Sequence, residues 1–560
     1  MNYLFAFFVI SGLLAVLLFI SARKQLNNNL RKIRTEWSDK NIKRSFEPLE
    51  SISTFWSNDE SKGDGLIDDL TWNDLSMDDV FEKLNHTRTS IGAEKLYYTI
   101  RSNNLNNPLF RNNKSLMKEL NQNHVFRENI ELILMKLGKK NFSNSSSLMY
   151  GVNDKLMKHQ IVYLFLGIVP IISVGLFYLS PQFSLVLFLL SITINGFVYQ
   201  FNRSRYEQDF NTLNYVVSII QCAKDLSKID HPFLKTIKKN LSQLKQILSF
   251  RNIISSNAGS TQELLLDYLR IFFLFDFIAY NRIVKKLINY HEDYISIWHT
   301  ISDLDSFIAI TYFRNNYSNY CHPQFTEKMT LKGVNLYHPL IKNPVKNSIE
   351  IKNNIIISGS NASGKSTFIK AVAINCILAQ TINTVLADQF TMKTGSILTS
   401  MAITDNLAEG DSYFVAEIKS LKRMINVIRE GIPCFTFIDE ILRGTNTVER
   451  ISASSAILKW ILSKDNNLSI IATHDLELTD IAKDYVSNYH FREFFDGDTI
   501  KFDYKLKQGP SYTKNAIQLL KETHYPKDII YTASKLSNYF VEYDQWLSFS
   551  EIEKSVISPD

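Results

Sequence analysis

Gly359-Ser-Asn-Ala-Ser-Gly-Lys-Ser366 constrains this chain more than any other stretch. It has the form G-x-x-x-x-G-K-[ST], a pattern that functions only between a buried strand and a helix. Both neighbours are present. Ile355-Ile-Ile-Ser358 is a short apolar run that reads as a strand, and Thr367 to Gln380 reads as a helix. The expected fold is therefore α/β, a P-loop NTPase of the ABC-like ATPase kind. The glycines let backbone N–H groups turn inward around phosphate oxygens, and the helix N-terminus adds a partial positive charge. Gly359, Ser360, Asn361, Ala362, Ser363, Gly364, Lys365, Ser366 and Thr367 are the candidate ATP-binding residues. Lys365 reaches the β- and γ-phosphates, and the Ser366 hydroxyl is a Mg²⁺ ligand. A chance glycine-rich turn would not come with this strand, this helix and a matching acidic strand end.

That acidic end is Pro433-Cys-Phe-Thr-Phe-Ile-Asp439-Glu440. An apolar strand delivers two carboxylates at its C-terminal edge, where open α/β sheets bind ligands. Asp439 is the second candidate for Mg²⁺. Glu440 is the candidate general base for the attacking water. A third strand, Leu468 to Thr473, ends in His474, placed to hydrogen-bond the γ-phosphate. The plain alternative for His474 is a loop histidine without a chemical role.

The 560 residues allow three or four units. A net charge of +6 is too mild to imply nucleic acid by itself. The four cysteines, Cys222, Cys321, Cys376 and Cys434, are scattered and fit a reducing compartment without a disulfide framework or a zinc site.

Three apolar runs predict membrane spans. Tyr3 to Ile20 carries no charge and is long enough for a hydrocarbon core of roughly 30 Å. Its basic residues, from Arg23 to Arg44, follow the apolar run, the reverse of a signal peptide. Ile161–Leu179 and Phe183–Tyr199 are joined by Ser180-Pro-Gln182 and read as a hairpin. Lys155 and Lys158 flank one end of it and Arg203 and Arg205 the other, so both ends fall on the positive, cytoplasmic side. Leu264–Tyr280 is nearly apolar enough for a further span. Asp267, Arg270 and Asp276 interrupt it at about 2.5–3.5 kcal/mol each, so it is expected to be a buried core helix. The spacing of Ile237, Leu241, Leu244 and Leu248 predicts an amphipathic helix nearby. The expected organisation is a membrane helix over 1–21, a linker and first part of an all-α core over 22–158, a membrane hairpin over 159–200, the second part of the core over 201–330 and the ATPase domain over 331–560. The core and the ATPase domain would lie in the cytoplasm.

Asp439-Glu-Ile-Leu-Arg-Gly-Thr-Asn-Thr447, Ile471-Ala-Thr-His-Asp-Leu-Glu-Leu478 and Gly410-Asp-Ser-Tyr-Phe-Val-Ala-Glu417 together resemble the MutS family of DNA mismatch-repair ATPases. The likeness is dense from about Leu336 to Ile530. It implies a homodimer through the ATPase domains, with Ser412 reaching nucleotide across the dimer and Arg443 and Thr445 near its seam. It also implies that Tyr504, at the end of an expected strand Asp498–Tyr504, approaches the adenine. Gly509–Tyr512 and Ala516–Leu520 resemble the family's closing, dimer-pairing helices. Asn85, Thr87, Thr89 and Gly92 match a turn at the start of the family's helical core and read as structural. Two positions depart from the family: Leu442 stands where glycine is usual, and Tyr413 where threonine is.

A Phe-x-Glu wedge for inserting at mismatches is expected to be missing. Phe126-Arg-Glu128 has the letters but lies within the helical core region. Lys235, Lys238 and Lys239 form only a small basic run. The first reading is thus a membrane-anchored MutS-type ATPase. The rivals are a membrane-tethered protein that binds mismatched DNA, which the resemblance implies, and a general ABC-type transport ATPase. Three spans without intramembrane charge argue against the transporter.

Overall fold

The computed structural model describes residues 2–39, 47–59, 67–102, 109–158, 160–251, 268–360, 363–401, 413–496, 499–510 and 516–552. They divide into two compact units. One is drawn from Met1–Asp64, Phe81–Ser102 and Pro108–Ser318, the other from Gly65–Val80, Asn103–Asn107 and Asn319–Asp560.

The first unit is helical. Its main elements are α1 (Asn2–Ser38), α2 (Ser90–Arg101), α3 (Gln160–Gly175), α4 (Pro181–Arg205), α5 (Phe275–Asn289) and α6 (His291–Asn316). Helix α6 is the axis of the core, with Trp298, Phe307, Tyr312 and Phe313 buried along it. The turn Asn85–Gly92 is structural, for a reason that lies 216 residues away. The Asp305 carboxylate on α6 accepts from the backbone N–H groups of Arg88 and Thr89 and from the Thr89 hydroxyl at 2.6 Å. Thr89 then caps α2 by accepting from Gly92 N. The Arg88 guanidinium beside it is buried against Glu131 and against Glu36 of α1, and Arg34 of α1 grips Glu128 through two bonds of 2.8 Å. The C-terminal part of α1 is thereby tied into the helical core.

Helices α3 and α4 form the expected hairpin, with Pro181 in the first turn of α4, where its missing N–H costs nothing. Ile161, Phe165, Ile171, Val186, Leu189 and Phe197 all face outward, an apolar surface that no neighbouring side chain covers. Among the described residues, these two helices are long and apolar enough to cross a membrane. The apolar run Tyr3–Ile20 forms the first half of the single helix α1, and many of its side chains lie outside the described residues.

Two sequence expectations change. Leu264–Tyr280 is not one buried helix. The described part is helical over 268–273, breaks at Leu274, whose φ is +52°, and resumes as α5. Phe277, Tyr280, Ile283 and Leu287 of α5 are core, whereas Tyr268 and Leu269 are exposed; Asp267 lies outside the described residues. The helix through Ile237, Leu241 and Leu244 also ends early. From Lys245 it tightens to a 3₁₀ turn, so Ile247 takes the buried place expected of Leu248. Three residues per turn in place of 3.6 account for the one-residue advance.

The second unit is mixed α/β. In chain order its strands are β1 (Gln324–Phe325), β2 (Leu331–Leu336), β3 (Asn347–Ile351), β4 (Ile355–Ser358), β5 (Gln389–Met392), β6 (Ser396–Ser400), β7 (Cys434–Asp439), β8 (Asn467–Ala472), β9 (Ser487–His490), β10 (Glu493–Asp496), β11 (Thr499–Phe502) and β12 (Lys507–Gln508). The main sheet has the order β12-β9-β4-β8-β7-β6. Its four pairings over β9, β4, β8, β7 and β6 are parallel, and β12 closes the far edge antiparallel to β9. The strands β4, β7 and β8 are buried throughout, as parallel strands covered on both faces must be. Helices α7 (Lys365–Ile382), α8 (Tyr413–Arg429) and α9 (Thr447–Leu462) follow β4, the segment after β6, and β7. Leu421, Met424, Leu458 and Ile461 of α8 and α9 pack with Ile438 and Ile471. The helix Asp69–Asp74 belongs to this unit as well: Asp74 accepts from the Thr399 hydroxyl at 2.7 Å and from Met401 N, and Asp68 pairs with Arg423. Segment β1-β5-β2-β3 makes a second, smaller sheet.

Candidate functional site

Because β4, β7 and β8 run parallel, the loops that leave their C-terminal ends open on one edge of the sheet. Three sequence-distant segments meet there. The loop after β4 turns on Gly359, φ +140°, and Gly364, φ +108°, conformations that a side chain would resist. At Gly359 a Cβ would lie 2.5 Å from the Phe491 carbonyl, so close packing also requires glycine. Lys365 opens α7 and is buried; its ammonium donates to the carbonyls of Gly359 at 2.6 Å and Ser360 at 2.9 Å. Burial lowers its pKa, against the opposing pull of the Glu440 and Asp439 charges. Ser366 and Thr367 are exposed on the first turn of α7. Asn361 and Ala362 lie outside the described residues, as does Ser412.

Strand β7 ends in Asp439, which is buried, and its Oδ1 has no hydrogen-bond partner among the described residues. The next residue, Glu440, has φ +66° and donates its N–H to Ala472 O on the neighbouring strand β8. That backbone turn directs its side chain to Arg443 and His474. Glu440 Oε2 is 2.6 Å from Arg443 Nε and 3.0 Å from His474 Nδ1. Burial alone would raise the Glu440 pKa, but the hydrogen bond and charge of His474, with Arg443 and Lys365, hold it below the usual carboxylate range. His474 moves the other way, raised chiefly by its hydrogen bond to Glu440. The loop after β8 is anchored by Arg450, which grips Asp475 at 2.8 and 3.1 Å. Thr445 bonds Glu449 within its own helix start.

A cavity of about 670 Å³ adjoins the loop, and its lining joins Ser360, Gly364, Lys365, Ser366, Thr367, Glu440 and Arg443 to an apolar side made by Tyr337, Ile341 and Val345. This apolar side was not singled out as a site from the sequence. Its signal was weak: an aromatic and a histidine followed by proline, directly after β2. His338, buried there, is lowered to about 4 by burial and by Lys370. Tyr504 also lines the cavity. It sits past the end of β11, not within the strand, at φ +52°, with its ring 3.1 Å from where a Cβ on Gly364 would stand. Asn347 fixes that position, donating to Tyr504 O and accepting from Leu506 N. Asp498 lies outside the described residues.

A helix N-terminus with inward-turned glycines, a buried ammonium, and two carboxylates on the next strand but one define a site built for a multiply charged anion and a hard cation. The comparisons with known proteins agree on the class. Residues 355–541 match the family model of MutS domain V, and over this C-terminal part the chain belongs to the MutS family. The DNA mismatch repair protein MutS of Persephonella marina is 34% identical over 216 residues, 37% of this chain and 25% of that protein. Its namesake from Lactobacillus acidophilus is 29% identical over 232 residues, 39% of this chain and 27% of that protein. The chain thus matches about a quarter of the length of these relatives.

Proposed function

We propose that this chain is a membrane-anchored ATPase of the MutS family. ATP binds on the P-loop Gly359–Thr367, two ATPase domains pair around it, and hydrolysis drives a movement of the helical core and its membrane helices. The observation that carries the reading is the meeting of Lys365, Asp439 and Glu440 at one sheet edge, beside a cavity large enough for a nucleotide.

Mg²⁺ fits the residues present. The unpartnered, buried Asp439 Oδ1 and the exposed Ser366 hydroxyl are the hard oxygen donors such an ion takes. When bound, the ion would neutralise charge on the transferring phosphoryl group. The protein's own residues do the rest. Lys365 leaves the loop carbonyls for phosphate oxygens. Glu440, held ionised through the neutral range, is in the form that accepts a proton from the attacking water. His474 and Arg443 orient that carboxylate until phosphate competes for them. In the dimer, Ser412 and Arg443 are the candidates for contact across the seam, and the ring of Tyr504 is the candidate to lie against the base.

Anchoring rests on the two apolar helices α3 and α4 and on the uncharged run in α1, with both units in the cytoplasm. The matched relatives are named for DNA mismatch repair, and mismatched DNA is the second ligand to test. Against it, Arg127 and Glu128 of the wedge-like triplet are buried, and Glu128 is held by Arg34.

The deciding experiment uses Glu440→Gln in the detergent-solubilised protein. The variant should bind ATP with Mg²⁺ normally, lose about 10²–10⁴ in turnover, and accumulate as an ATP-bound dimer on size exclusion. Lys365→Ala should lose nucleotide binding. A Glu440→Gln protein that turns over normally, or stays monomeric with ATP bound, refutes the composite-site reading.

A further inference from the structure

Within the hairpin, Pro170 stands inside α3 and has no N–H to give the carbonyl of Leu166, one turn before it. That carbonyl is satisfied from the other helix: Asn195 of α4, fully buried, donates Nδ2 to Leu166 O at 3.0 Å. The same Nδ2 donates to Phe272 O at 2.6 Å. Phe272 lies in the last turn of the helical stretch 268–273, where carbonyls lack partners of their own because the chain breaks at Leu274. Gly167, next to Leu166, admits the backbone of this stretch; a Cβ there would lie 2.4 Å from Phe273 O. One amide therefore serves two carbonyls orphaned by different causes, and a glycine makes room for the join.

The join sits deep. Gly167 is seven residues from the start of α3 and Asn195 eight from Arg203, so both lie about 10–12 Å along the helices from the hairpin's charged end. In hydrocarbon an unmet carbonyl has no water to turn to, which accounts for a buried donor placed on both. Nearer the charged end, Asp276 is held by the Tyr199 hydroxyl at 2.9 Å and by Arg203 and Arg270 at 3.7 and 3.8 Å. The outward side chains of the same stretch are Tyr268, Leu269 and Phe275, 57%, 37% and 40% exposed, and Gly167 and Asn195 hold this stretch against α3 and α4.

We propose that residues 268–276 are a further membrane-inserted element, a wedge that enters the bilayer beside the hairpin from its charged side. Acyl chains contact Tyr268, Leu269 and Phe275, and the Asp276 cluster marks the cytoplasmic boundary. This rests on the hairpin spanning the membrane, and the test separates the two.

Full-length protein carrying Cys321→Ser is given single cysteines at Leu269, at Leu189 of α4 and at Lys238, then labelled with a nitroxide and reconstituted in vesicles of phosphatidylcholine and phosphatidylglycerol. The remaining cysteines, Cys222, Cys376 and Cys434, are buried. Collision with oxygen reports lipid, and collision with a water-soluble nickel chelate reports solvent. The label at 269 should match that at 189, with oxygen favoured several-fold, while 238 favours nickel. A label at 269 that behaves like 238 while 189 stays lipid-like overturns the wedge alone. Solvent exposure at both 189 and 269 overturns the hairpin and the wedge together. Asn195→Leu should raise nickel access at 269 and leave 189 unchanged; unchanged access at 269 would overturn the Asn195 join on which the wedge is argued.

Discussion

Glu440 and His474 shift each other in opposite directions, and the signs set a pH window. His474 is raised, so its share of stability is complete below its unfolded value of 6.5 and fades as pH rises through the folded one. Glu440 is lowered, so its share is complete above 4.5 and fades as pH falls through its folded value. Their attraction is therefore greatest between those two values. Histidine-selective NMR, assigned with His474→Gln, should find His474 titrating above 6.5, and Glu440→Gln should bring it down. A titration unmoved by Glu440→Gln would break the pairing. Leu442 is the second test at this scale. The sequence marked it as a departure from the family's glycine, and the structure supplies the reason glycine is usual: φ is +56°. Its side chain is also buried among Ile438, Ile441 and Leu458. Removing a buried leucine costs about 2–5 kcal/mol, whereas the left-handed backbone costs a side-chain-bearing residue about 1–2. Both Leu442→Ala and Leu442→Gly should destabilise, with alanine worse by about 1 kcal/mol because it keeps the strain. Denaturant midpoints decide it, and alanine equal to or better than glycine would contradict the backbone argument. What was legible here was contiguous chemistry. Residues 359–367 and 439–440 announce themselves because the glycine-rich run and the acidic strand end are each contiguous in the chain. Tyr337, His338 and Asn347 did not, because they come to line one cavity with Gly364 only through the fold.

Elements were readable where a single periodicity ran uninterrupted. The strands β4, β7 and β8 and the helix α7 follow from apolar runs and the glycine-rich loop between them. The breaks were not readable, because each is imposed by a distant partner. Leu274 turns where Asn195 can meet Phe272, and the Asn85–Gly92 turn closes on Asp305, more than two hundred residues away. The sequence marked that turn as structural without showing what it served. Gly92→Ala tests the contact directly. A Cβ would stand 2.2 Å from Asp305 Oδ2, so the carboxylate must retreat from the three donors it satisfies. A loss of about 1–3 kcal/mol is expected. Gly175→Ala, where nothing lies within 4 Å, should be near neutral, and equal effects from both would dismiss the Asp305 join.

For the whole molecule, the proposed arrangement places both ends of the hairpin on the same side as the nucleotide site. A cysteine at Gln182, in the hairpin turn, should react with an impermeant thiol reagent in intact cells, whereas one at Arg203 should react only after lysis. Labelling at Arg203 alone would invert the topology and place the ATP site outside. The helix Asp69–Asp74 adds a constraint of another kind. Its bonds to Thr399 and Met401 join residues 325 to 328 apart, with most of the helical unit, including the hairpin, encoded between them. At roughly 5–20 residues per second, a ribosome leaves Asp74 waiting about 16–65 seconds before its strand emerges. By then the hairpin has already been synthesised. The main sheet therefore cannot finish until the apolar helices have been made, and under the proposed function the order of synthesis puts membrane delivery before enzymatic competence.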